Sequence, residues 1–207
     1  MTCLRRGAVV LAIIILTLFA PGVCAAVPPS DQLLAKALDP NPALLTYRAS
    51  ATLVAKLHAL VPVQKTLHGT VTYRKPLRKI VFNDVPGPLK QFTDLIEATP
   101  TYEELKQSYR FLPNRDDGDT TTYTLFPLAP DRRVRTISIR VSDTEQLVKE
   151  AVWTYNDGSQ LTIRPRYEPQ GSFRLLAAIE IEARFPEYKV DGTLRFSDYQ
   201  LGVPVDL

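Results

Sequence analysis

The sequence predicts a mostly β (α+β) fold, an antiparallel β-barrel or strongly curved sheet with short helices covering its concave face. Three observations lead there. Long stretches alternate apolar and polar residues with period two, the pattern of a strand with one wet face. Turn residues punctuate those stretches at regular spacing, as in barrels and curved sheets. A few short segments switch to helical spacing, and a sheet with one apolar face needs a second layer to bury it.

The chain of 207 residues opens on a segment of a different kind. Arg5 and Arg6 precede an unbroken apolar run from Ala8 to Ala20. Pro21 and Gly22 end the run, and Val23, Cys24, Ala25 and Ala26 supply small residues for signal peptidase. Those three parts in that order predict a cleaved secretory signal over residues 1–26. The run is shorter than the ~20 apolar residues that span a bilayer, which argues against an uncleaved anchor. Pro21, Gly22 and Val23 before Cys24 do not make a lipoprotein processing site, and Arg5 with Arg6 alone does not make a twin-arginine signal. Removing 26 residues leaves 181, residues 27–207, read as a single domain long enough to bury a core. Both cysteines, Cys3 and Cys24, leave with the signal, so the mature chain has no disulfide, thiol nucleophile or thiolate metal ligand. Without Arg5 and Arg6 it holds 23 basic and 22 acidic residues, a formal +1 that gives no electrostatic case for nucleic acid. An exported, anchorless, cysteine-free chain suits a bacterial periplasm.

Ser30 to Leu38 reads as the first helix. Ser30 or Asp31 caps it, Leu33, Leu34 and Leu38 form an apolar stripe, and Pro40 and Pro42 stop it. The period then becomes two. Tyr47, Ala49, Ala51, Leu53, Ala55, Leu57, Ala59 and Val61 hold one parity, against Thr46, Arg48, Ser50, Thr52, Val54, Lys56, His58 and Leu60. Pro62 to Gln64 is the expected turn, which sets His58 opposite His68. Leu67, Gly69, Val71 and Tyr73 return on the second strand, and Arg78 to Phe82 forms a shorter third. Gly87 and Pro88 open a helical pattern through Leu89, Phe92, Leu95 and Ile96. Thr101 with Glu104 three residues on reads as a capping box. A strand over Gln107 to Leu112 competes for that stretch. Asn114 to Asp119 is a polar turn and Thr120 to Phe126 a strand.

From Arg133 the pattern is a meander. Ile137, Ile139 and Val141 share one face, then Leu147, Ala151, Trp153 and Tyr155. Asn156, Asp157 and Gly158 make a strong hairpin turn. Leu161 and Ile163 follow, then a turn at Pro169 to Gly171. Ile179, Ile181, Ala183 and Phe185 make the next apolar face, and Thr193 to Tyr199 the last strand. The total is roughly eight to ten strands with two or three short helices.

Residues for chemistry are few. His58 and His68, facing each other, lack a third ligand for a metal site. Asn114, Asp116, Gly118 and Asp119 have calcium-loop spacing, but Leu125 and Phe126 stand where its glutamate belongs, so an acidic turn is expected. Glu103 and Glu104 start a helix, and Glu180 and Glu182 share a wet strand face. General acid–base work needs two carboxylates in different environments of one pocket. No nucleophile elbow marks a serine hydrolase. The expectation is a non-enzyme with no cofactor and no metal. Arg74, Lys75, Arg78 and Lys79, with Arg132, Arg133 and Arg135, read as solvated strand ends able to meet lipid phosphates or an acidic partner. The alanine-rich face of the first strand leaves space above it for a helix or a ligand.

At Gly69, Val71, Tyr73, Arg74, Lys75 and Pro76 the chain resembles the LolA-like periplasmic lipoprotein carriers. Their second strand runs from a glycine, through alternating apolar residues, to a basic residue and a proline seven positions on, the spacing of Gly69 to Pro76. The signal, short N-terminal helix, long hairpin, meander and extended tail at Gly202 to Val205 follow the same order. The resemblance implies an unclosed β-barrel capped by helices, whose cavity carries lipoprotein acyl chains between membranes. It also implies an arginine directly before the proline that helps hold the helical lid; here Lys75 stands in that place, with Arg74 one earlier on the opposite strand face. The family's next strand carries an Asp-Gly turn, whereas Asn83 to Gly87 leads into a helical pattern, which sets this chain outside the true carriers. The expectation is a monomeric, non-catalytic, periplasmic lipid- or lipoprotein-binding protein of outer-membrane biogenesis, with acyl chains as ligand and an envelope membrane protein as partner. Tyr47, Leu53, Leu57, Val71, Tyr73, Trp153, Tyr155 and Phe185 are the expected cavity liners. Two rivals use the same strands: an envelope sensor or interaction module with a self-filled cavity, and an outer-membrane barrel with apolar residues turned outward.

Overall fold

The computed structural model describes residues 29–58, 62–85, 100–116, 118–129 and 133–206. The expected signal, the strand end at Ala59 to Val61 and the helical pattern from Gly87 to Ile96 lie outside the described residues. Among the described residues there are ten strands: β1 (Thr46–His58), β2 (Val63–Arg74), β3 (Leu77–Phe82), β4 (Tyr109–Arg115), β5 (Thr120–Pro127), β6 (Val134–Ser142), β7 (Val148–Tyr155), β8 (Gln160–Gln170), β9 (Phe173–Arg184) and β10 (Lys189–Leu201). They form one antiparallel sheet in the order β3-β2-β1-β10-β9-β8-β7-β6-β5-β4, with β3 and β4 as unpaired edges. The predicted class is therefore the observed one, and the sheet is open.

Period-two patterning becomes one continuous apolar face. The registers align one side chain from each of eight neighbouring strands, Leu57, Val190, Ala183, Leu161, Trp153, Ile137, Leu125 and Phe111. Among the described residues, two helices lie against that face. In α1 (Pro29–Leu38), Leu34 and Ala37 are buried; in α2 (Tyr102–Ser108), Leu105 is. These three pack with Tyr123, Leu125, Ile137 and Ile139 into one core cluster, while Leu53, Val71, Ile80, Ile181 and Leu194 belong to a second, and Trp153 packs against both. Burial, then the negative charges of Asp31 and Asp143, push the Tyr123 phenol up to about 12.

The capping box at α2 forms as read. Thr101 N donates to Glu104 Oε2 at 2.7 Å, and Glu104 N donates to Thr101 Oγ1 at 3.3 Å. Tyr109 is extended, with φ −137°, so the chain passes from helix to strand without a loop. Both competing readings of this stretch thus hold, on consecutive residues.

Two expectations are corrected. The hairpin pairs Leu57 with Val63, so its turn falls earlier than Pro62 to Gln64, and His68 lies opposite Thr52 rather than His58. Pro62, which has no N–H to give a ladder, stands just before β2 instead of at the turn's centre. His58 instead meets Asp191 on the outer face, Nε2 to Oδ2 2.9 Å. The outward-facing barrel is excluded as well. The outer face carries ions across four strands: Lys189 reaches both Asp191 and Glu182 at 3.1 Å, and Arg164 meets Glu150 at 2.7 Å and Glu182 at 3.9 Å. A lipid-facing barrel surface is apolar there.

Candidate functional site

A cavity of about 480 Å³ lies between the inner sheet face and the two helices. Its wall draws on β1 to β3 and β6 to β10. In a flat sheet β3 and β6 would stand seven strand spacings apart, about 34 Å at ~4.8 Å each. One cavity touches both, so the sheet curls around it. The floor under α2 is apolar, built from Ile137, Ile139, Ala151, Trp153 and Ile163. Ala35 and Leu38 of α1 and Leu105 of α2 supply the roof.

Two clasps hold that roof. At the β2–β3 turn, Lys75 Nζ donates to Asp39 Oδ2 at 2.5 Å and to the Pro42 carbonyl at 3.0 Å. Asn41 grips β9 with both ends of its amide: Nδ2 donates to Arg174 O at 2.7 Å, and Arg174 N donates to Asn41 Oδ1 at 2.8 Å. Lys75, in the place where the resemblance implies an arginine, thus ties the chain just after α1 to the β2–β3 turn. Arg74 is exposed and does not line the cavity.

At the other end of the cavity the wall turns phenolic. Tyr47 stacks on Tyr73 with centroids 4.9 Å apart and tilts against Tyr199 at 5.3 Å. Tyr199 reaches this face through a bulge. Leu194 and Phe196 face inward on even positions, the register shifts between Arg48 and Ser50, Asp198 adopts φ 54°, and the next residue turns inward. Its hydroxyl donates to Leu176 O at 2.7 Å. Tyr167 of β8 and Arg78 of β3 complete the cluster. Burial raises all four phenols above the ordinary tyrosine range, Tyr167 to about 12, while the Arg78 charge pulls each back.

The expected liners divide. Tyr47, Tyr73 and Trp153 line the cavity. Leu53 and Val71 are fully buried in the core cluster instead, and Leu57, Tyr155 and Phe185 pack against that cluster, Phe185 stacked on Tyr188 at 4.5 Å. Parity assigned their face correctly, but along β1 the cavity reaches Tyr47 near the strand's start, while side chains fill the interior further on. On β7 a bulge between Arg140 and Val141 puts Val148, rather than Leu147, on the cavity wall. Tyr167 and Tyr199 were missed, and Arg78, expected at a solvated strand end able to meet lipid phosphates, lines the cavity. Arg78 had a signal: the tight turn at Lys75 and Pro76 sets Tyr73 opposite Arg78, which places it on the face of Ile80 and away from solvated strand ends.

No protein-family profile and no curated protein matches the chain. Solved structures do. A domain assigned to outer-membrane lipoprotein sorting from Vibrio parahaemolyticus superposes with a TM-score of 0.57 at 10% identity, covering 85% of this chain and 93% of that one. A LolA superfamily protein from Nitrosomonas europaea gives 0.55 at 12% identity, with 86% and 94% covered. A DUF1329 family protein from Desulfovibrio piger gives 0.55 at 10% identity, with 86% and 93% covered. At such identities the likeness is one of fold, and it is the fold the Gly69 to Pro76 pattern implied: this chain is built on the LolA-type open sheet roofed by helices.

Proposed function

We propose that this protein is a non-catalytic periplasmic binding protein that holds an acyl chain of a lipid or lipoprotein in the cavity beneath α1 and α2. The observation behind this reading is the cavity itself, apolar along most of its wall and about 480 Å³ in volume, within the ~300–1,000 Å³ of small-molecule sites. Each methylene moved from water onto that floor contributes ~0.8 kcal/mol. Two of the carboxylates considered for acid–base work serve the fold: Glu104 closes the α2 capping box, and Glu182 accepts from Arg184 and Lys189 on the outer face. A monomer that hands its ligand to an envelope membrane protein fits this reading.

Native mass spectrometry of the protein purified from a bacterial envelope should find a lipid bound at one per chain. Dodecanol added to the stripped protein should shift Trp153 emission to the blue and saturate at one site, because the indole lies on the cavity floor. Ala151→Leu, which fills part of that floor with apolar volume, should weaken binding by about tenfold, since an overpacked site costs ~1–3 kcal/mol. An absence of both bound lipid and emission change would assign the fold to a protein-interaction role and end the carrier reading.

A further inference from the structure

Arg78 places a charge at the phenolic end of the cavity wall. It lies directly across from Tyr73 in the β2–β3 ladder, and Tyr73 lies across from Tyr47 in the β1–β2 ladder. Tyr167 and Tyr199 reach the same end of the cavity from β8 and β10, and the Arg78 charge acts on the hydroxyls of all four. Tyr199 spends its O–H on Leu176 O, which leaves the O–H groups of Tyr47, Tyr73 and Tyr167 beside the N–H donors of the arginine. Such a set matches the oxygens of a phosphate or carboxylate and finds no use with a neutral chain end. Lys75 and Arg174 add two further cations to the wall, against two carboxylates: Asp39, held by Lys75 at 2.5 Å, and Glu103 in the first turn of α2. The far end, under α2, is formed by Ile137, Ile139, Ala151 and Trp153.

We propose that the cavity selects amphiphiles with an anionic head: the chain lies along the isoleucine and tryptophan end, and a phosphate or carboxylate is received by Arg78 and the surrounding tyrosine hydroxyls. This rests on the acyl-chain reading above and adds the chemical class of the ligand. Dodecyl phosphate, dodecanol and inorganic phosphate, each titrated below its aggregation limit, separate the two. Wild type should bind dodecyl phosphate ~10-fold or more tighter than dodecanol, the value of one charged hydrogen-bonded contact. Inorganic phosphate should neither bind measurably nor displace dodecyl phosphate at equal concentration. In Arg78→Met the ratio of the two chain affinities should fall to within about twofold, with far-UV circular dichroism unchanged, and Arg78→Lys should restore part of the preference. If Arg78→Met does not fold, Arg78→Lys decides: a reduced but real preference supports the site, and an undiminished one overturns it. Equal binding of dodecyl phosphate and dodecanol by wild type overturns head-group selection and leaves the acyl cavity standing. Equal binding of inorganic phosphate and dodecyl phosphate overturns it in favour of a free-anion site. Binding of neither chain overturns both.

Discussion

Asp119 sits at the tip of the β4–β5 turn, yet its carboxylate belongs to the next hairpin. It accepts from Thr144 Oγ1 at 2.5 Å, Thr144 N at 3.1 Å and Ser142 Oγ at 3.2 Å. Asp116 is likewise occupied by the Thr122 hydroxyl at 2.5 Å. The calcium-like spacing therefore reflects two turn staples. The bond from the Thr144 hydroxyl, more than any other effect, holds the Asp119 pKa below the ordinary aspartate value. A depressed folded-state pKa means the unfolded chain binds the proton first, so this stabilisation is present above pH ~4 and lost as pH falls through the folded value. Asp119→Asn should lower the urea midpoint at pH 7, and the gap to wild type should close between pH 5 and 2. A gap of equal size at pH 7 and pH 2 would refute the assignment. None of this was legible in the sequence, because Thr144 and Asp119 meet only once β5 and β6 have paired.

At the scale of elements, what was legible is what is local. The parity of β1, the capping box of α2 and the turn at Asn156 to Gly158 each depend on residues within a few positions of one another, and each formed as read. Registers and bulges depend on partners far away in the chain. That is why the His58–His68 pairing failed and why Tyr199 was assigned no face. Gly69 belongs to both kinds. Its place in the motif was visible, but its cause is an interstrand one: a Cβ there would lie 2.3 Å from the Val81 carbonyl oxygen and 2.9 Å from the Phe82 ring. The backbone of β3 approaches too closely for any side chain. Gly69→Ala should therefore destabilise the protein by ~1–3 kcal/mol, the usual cost of overpacking, read as a lower urea midpoint. An unchanged midpoint would show that β3 yields freely at this edge.

For the whole molecule, fold class could be read because every strand declares one apolar face. The cavity could not, because its position depends on how far ten strands curl and where the helices stop covering them. Along β1 the same parity meets the cavity at Tyr47 and solid core at Leu53. The order of the strands has a further consequence, in time. Neighbouring strands β8 and β9 are joined through a short turn, whereas Leu53 of β1 pairs with Leu194 of β10, 141 positions later. Contacts between distant segments wait on costly loop closure. Pulsed hydrogen exchange during refolding should find the β6–β7 and β8–β9 amides protected before those shared by β1 and β10. Simultaneous protection would refute that order. During synthesis the interval is longer still, since β1 to β3 exist while most of the chain is unmade. Of the ten described strands β10 emerges last, and it carries Tyr199 to Tyr47, so the phenolic end of the cavity waits on the other nine.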